Sequence, residues 1–87
     1  MKYLKNQSME FLDIDEDNVV VYDPDSGDTH YISETGKTIL ALLDENDEAD
    51  PLISELCKMY AADKEELTSD VLAFLGELVE KKVLITL

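Results

Sequence analysis

The sequence predicts an α+β domain, a three-stranded antiparallel sheet followed by three helices that pack on one of its faces. Three observations predict it. Before Ser33 the apolar clusters are short, rich in β-branched and aromatic residues, and separated by acidic turns, as strands require. From Ser33 onward apolar residues recur at helical spacing. The chain of 87 residues, 45% of them hydrophobic, suffices for a single small domain with one core, spanning residues 1–87.

The first strand is read at Met9-Glu10-Phe11-Leu12-Asp13-Ile14, and residues 1–7 before it are expected to be a loose tail. Asp15-Glu16-Asp17-Asn18 turns the chain into the second strand, Asn18 to Tyr22, whose three consecutive valines carry the strand signal. Asp23-Pro24-Asp25-Ser26-Gly27-Asp28 is a hairpin loop: proline fixes one backbone angle, Asp and Ser bond nearby amides, and glycine permits positive φ. Thr29-His30-Tyr31-Ile32 is the third strand.

The first helix starts near Glu34 with Ser33 as its cap, and Ile39, Leu40, Leu42 and Leu43 form its apolar stripe. Asp50-Pro51 reads as the restart, an acidic cap followed by proline at the first helical position. Leu52, Ile53, Leu56, Cys57 and Tyr60 give the second helix its buried face. Asp63-Lys64-Glu65-Glu66 has the spacing of a capping box, and a third helix follows to about Lys82 with Leu67, Val71, Phe74, Leu75 and Leu78 on one side. Leu84 to Leu87 adds a short terminal strand.

Charge narrows the function. Against 21 Asp and Glu stand 7 Lys and Arg, a net charge of −14. Such a surface repels phosphate backbones and anionic headgroups, so neither nucleic acid nor a membrane is expected as partner. One cysteine forms no internal disulfide, no apolar run approaches a membrane span, and Met1 to Lys5 opens no signal-peptide core, so a cytoplasmic location is expected.

Candidate chemistries fail one by one. Asp13, Asp15 and Asp17 match the first ligands of a calcium loop, but its sixth and twelfth places hold Asn18 and Pro24 rather than glycine and glutamate. Asp25-Ser26-Gly27 lies in a hairpin loop behind valine-rich strands, unlike the helical Asp-Ser-Leu site of an acyl carrier protein. His30 has no nucleophile or paired carboxylate fixed near it. Cys57 sits among core positions with only Lys58 beside it, which points elsewhere on the helix. One Cys and one His make no zinc site, and the scattered glycines make no phosphate loop. No enzyme activity, metal or cofactor is expected.

Binding by shape remains. The edge of a small meander carries unpaired amides and is a template for another strand, although many such edges are short and bind nothing.

The passage Tyr22-Asp23-Pro24-Asp25-Ser26-Gly27-Asp28-Thr29-His30-Tyr31-Ile32-Ser33-Glu34-Thr35-Gly36, then Ile39-Leu40-Ala41-Leu42-Leu43-Asp44, resembles the strand–turn–strand–helix of PqqD-like proteins. Asp70-Val71-Leu72-Ala73-Phe74-Leu75-Gly76-Glu77-Leu78 is similar to their third-helix pattern, and the likeness runs from about Met9 to Ile85. The resemblance implies a winged helix-turn-helix-like domain, the RiPP recognition element. It implies a peptide chaperone that takes the leader of a ribosomally made precursor as an added antiparallel strand and presents it to a modifying enzyme, often a radical SAM protein. Carried onto this chain, strand contacts fall on Thr29, His30, Tyr31 and Ile32, and the helix wall on Leu67, Asp70, Val71, Phe74 and Leu78.

Strand alternation divides Thr29 and Tyr31 from His30 and Ile32. Ile32 matches a core position, so its backbone is expected to meet the peptide. Phe74, Leu75 and Leu78 are assigned to the core ahead of the groove, while Leu67 and Val71 border both. The chain departs from the family at Ile32-Ser33, where Leu-Asn is common, at Gly36, often alanine, and at Lys82, often glycine. A structural or regulatory subunit docked on a larger enzyme is the alternative reading.

Overall fold

The computed structural model describes residues 1–87, the side chain of Ser33 excepted. Its elements are β1 (Tyr3–Lys5), β2 (Glu10–Asp13), β3 (Asn18–Tyr22), β4 (Thr29–Ser33), α1 (Thr35–Leu43), α2 (Ala49–Met59), α3 (Lys64–Glu80) and β5 (Leu84–Thr86). The antiparallel sheet has the order β2-β3-β4, which leaves β4 at one edge, and β1 pairs with β5 in a separate two-stranded ribbon.

Local polar chemistry sets both hairpins. Asp15 Oδ1 accepts the amides of Asp17 and Asn18 at 2.9 Å, which turns β2 into β3. Between β3 and β4, the Asp23 carboxylate accepts from the Asp25 amide at 3.0 Å and the Ser26 hydroxyl at 2.9 Å. Gly27 supplies the left-handed step at φ +80. Donors aimed at a carboxylate favour its charged form, so Asp15 and Asp23 both titrate below 3.8.

The core lies between the inner sheet face and the helices. Val19, Val21 and Ile32 come from the sheet; Leu52 and Leu56 of α2, with Val71, Leu75 and Leu78 of α3, pack beneath them. Val83 and Leu84 close the far side.

Several boundaries differ from the sequence reading, β2 running Glu10–Asp13 and α3 ending at Glu80 among them. Residues 1–7 are no loose tail, because Tyr3 to Lys5 pairs with Thr86 to Leu84 and the Tyr3 amide donates to the Asp47 carbonyl at 2.7 Å. That contact was hidden because its partner strand lies at the opposite end of the chain. α2 begins at Ala49 with Glu48 in the cap position, so Asp50 and Pro51 lie inside the first turn. Proline fits there because the first amides of a helix have no intrahelical acceptor. Tyr60 leaves the buried face of α2 and takes its extended C-cap. The Ser33 cap lies outside the described residues; Glu34 occupies the position before α1, at φ 50, and its amide donates to the Asp17 carbonyl.

α3 is closed at both ends. Asp63 caps it by accepting the Glu65 amide at 2.8 Å. At its end the Val83 amide donates to the Leu78 carbonyl at 2.9 Å and the Lys82 amide to Val79 at 3.0 Å, with Lys82 at φ 64. This is a Schellman closure with lysine in the position that glycine favours.

Candidate functional site

The ladder between β3 and β4 decides which backbone groups remain free. The Asp23 amide bonds the Asp28 carbonyl at one end, and the Glu34 amide bonds the Asp17 carbonyl at the other. Antiparallel pairs alternate between bonded and non-bonded, so the bonded pairs in between are Val21–His30 and Val19–Ile32. The amides and carbonyls of Thr29 and Tyr31 therefore point away from β3, out of the sheet edge. The Ile32 backbone is consumed by Val19, which reverses the expectation that it would be the part exposed to a peptide.

Side chains follow the complementary parity. Tyr31 is 79% exposed on the outer face, Thr29 is exposed beside it, and Ile32 is 6% exposed on the inner face. His30 shares that inner side, half-buried.

A trough runs beside this edge along α3. One lobe, about 430 Å³, is lined by Thr29, His30, Tyr31 and Ile32 of β4 and by Phe74, Glu77, Leu78 and Lys81 of α3. A second lobe of about 430 Å³ lies between α1 and α3, lined by Thr35, Ile39, Tyr60, Leu67, Asp70, Val71 and Phe74 among others. Gly36 and Phe74 belong to both, so the lobes meet there. A Cβ on Gly36 would stand 2.6 Å from Ile32 Cγ2 and 3.0 Å from Phe74 Cζ, so only glycine lets α1 approach this closely.

The trough brings together all nine residues that the sequence placed at a peptide site. Leu67 and Val71 border both core and groove and Leu78 is core, as expected, and Phe74 differs in depth. Phe74, assigned to the core, is half-buried and divides the lobes; Val71, Leu75 and Leu78 are buried. Glu77 and Lys81 were missed, and they join by a 2.8 Å ion pair whose ammonium holds the Glu77 carboxyl below its ordinary range. A signal existed: Asp70, Phe74, Glu77 and Lys81 fall at i, i+4, i+7 and i+11, a second helical stripe beside the core stripe.

Lysines from other elements also stand beside the opposite edge of the sheet. Lys5 lies 5.5 Å from the Phe11 ring centroid, and Lys37 pairs with Asp13 at 3.7 Å, both residues of β2.

The family model described as Coenzyme PQQ synthesis protein D (PqqD) matches residues 18–84, most of the chain and all of the β3–β4–helix unit. The chain belongs to the PqqD family. No curated protein matches it. Among solved structures it is similar to TbiB1, determined in complex with the TbiA(beta) leader peptide, at 23% identity and a TM-score of 0.87 over 97% of this chain and 96% of that one. Among the described residues no helix is long and apolar enough to cross a membrane.

Proposed function

We propose that this PqqD-family chain is a non-catalytic adaptor that binds the leader of a ribosomally synthesised precursor peptide. The leader adds to β4 as an antiparallel strand and is presented to a modifying enzyme, for which a radical SAM protein is one candidate class. One observation carries the reading: the free backbone groups of Thr29 and Tyr31 sit directly over a trough whose floor and wall can take alternate side chains. Membership of the PqqD family and the fold shared with a protein solved on a leader peptide support it. Thr29 and Tyr31 would supply backbone pairing, His30 and Ile32 the floor, and Leu67, Asp70, Val71, Phe74 and Leu78 the wall.

The adaptor raises the local concentration of a disordered substrate beside the enzyme, and needs no reactive group of its own. Hydrogen exchange on the labelled chain tests it. Adding a cognate leader peptide should newly protect the Tyr31 amide while His30 and Ile32, already bonded to β3, change little. No new protection at Tyr31 with any such peptide sinks the reading.

The docked-subunit alternative rests on a different face. Leu12, Val20 and Tyr31 stand in one row across the outer sheet surface, and Leu12 is 54% exposed. Such a row suits burial against a larger protein. Under that reading peptides leave β4 unchanged, and charged substitutions at Leu12 abolish assembly.

A further inference from the structure

The lobe between α1 and α3 has an apolar body and one charge at its mouth. Leu67, Val71, Ile39 and Phe74 form the body, Tyr60 adds an aromatic face, and Asp70 is the sole charged lining group. Among the described residues Asp70 takes part in no ion pair. An aliphatic side chain would fill the body but leave the Asp70 carboxylate partly dehydrated and without a partner. A long basic side chain satisfies both: its stem lies along Leu67, Val71 and Phe74 while its head meets Asp70. A guanidinium also stacks on an aromatic ring and takes a carboxylate through two bonds. The net charge of −14 draws cations to this surface.

Direction follows from the packing. Lys82, just beyond α3, acts on Asp23, in the loop before Thr29, whereas Gly36, just after β4, lies against Phe74. β4 and α3 therefore run in opposite senses, and an antiparallel added strand brings its N-terminal end to Asp70 and its C-terminal end to Lys81. Those two residues are about 16 Å apart along the helix, the span of about five strand residues.

We infer that this lobe reads a basic residue, arginine ahead of lysine, at the N-terminal end of the bound leader segment, with Asp70 as the specificity-determining contact. The inference rests on the added-strand reading.

Short fluorescein-labelled Thr/Val strand peptides test it, each with one guest residue at the N-terminal or the C-terminal end. The guests are arginine, its uncharged analogue citrulline, norleucine and glutamate, followed by anisotropy and by amide shifts of the 15N-labelled chain. N-terminal arginine should bind roughly three- to tenfold tighter than citrulline or norleucine, the range of an exposed ion pair with a stacking contribution. Asp70→Asn should erase that preference, Asp70→Glu should retain most of it, and arginine moved to the C-terminal end should not show it. If the β4 amides shift but norleucine equals or outbinds arginine, the arginine reading is overturned and strand addition stands. If no guest moves the amides of residues 29–32, both fall.

Discussion

Replacing Tyr31 by proline separates strand addition from folding. The Tyr31 amide faces away from β3, so the substitution removes no ladder bond, and edge strands accept proline where the N–H points to solvent. Its side chain is almost fully exposed, so the core is untouched. The stability change should stay within about 1 kcal/mol. The effect on an added strand is larger. A bonded antiparallel pair exchanges two hydrogen bonds, and the proline ring occupies the space that the incoming carbonyl needs. Losing both, at about 0.5–1.5 kcal/mol each, weakens binding by about 1–3 kcal/mol, roughly 5- to 150-fold. Anisotropy titration of a labelled leader measures the affinity, and thermal circular dichroism the fold. Tyr31→Val keeps the amide and should bind within a few-fold of wild type, which isolates the backbone from the ring. His30→Pro strikes a bonded pair and should instead lose about 1–3 kcal/mol of stability. A Tyr31→Pro protein with an unaltered melt and wild-type leader affinity would refute the assignment of this edge.

Other substitutions probe the frame around the edge. Lys82→Gly relieves a left-handed lysine and should raise stability by about 0.5–1 kcal/mol, a melting increase of a few degrees by calorimetry. Gly36→Ala drives a Cβ into Ile32 Cγ2 and Phe74, so the overpacking of about 1–3 kcal/mol outweighs the roughly 1 kcal/mol gained in helix propensity and leader affinity falls. Adding Ile32→Leu, which removes that γ2 methyl, should restore both quantities. Deleting residues 1–5 strips β1 from β5 and should cost about 3–5 kcal/mol, on the order of 15 °C or more in melting temperature. Folding depresses Asp15 and Asp23, so the stability they confer is full above 3.8 and is lost as pH falls through their lower folded values; carboxyl carbon titrations should place both midpoints below 3.8.

What the sequence made legible was local. The three valines of β3, the Asp-Pro-Asp-Ser-Gly loop and the α3 stripe each carry their cause within a few residues, and the structure bears these elements out. β1 was missed because its partner, β5, is joined to it only by the closed fold. Phe74 was placed too deep because helical periodicity gives the direction of a side chain but not the depth of its neighbours; Gly36 opens the space into which it emerges. The requirement for glycine there was also invisible residue by residue. Ile32 places its γ2 methyl 2.6 Å from where a Cβ on residue 36 would stand, a pairing of β4 with α1 that only the closed fold creates. The free parity of β4 needed the structure, because shifting the pairing by one residue would have exchanged Tyr31 for Ile32 at the edge.

That parity also determines where selectivity must reside. An added strand of about five residues gives up about 1–2 kcal/mol of backbone freedom per residue, while each new backbone bond returns only about 0.5–1.5 kcal/mol. At mid-range the four outward groups of Thr29 and Tyr31 return about 4 kcal/mol against a loss of about 7.5 kcal/mol, so pairing alone falls short. Edge pairing therefore orients any extended peptide without holding one. The remaining free energy must come from side chains entering the two lobes, where each buried Å² of apolar surface adds about 25 cal/mol. Phe74, standing between the lobes, touches whatever enters either. The Tyr31 backbone thus sets the direction of the leader, and the α3 wall decides which leader stays.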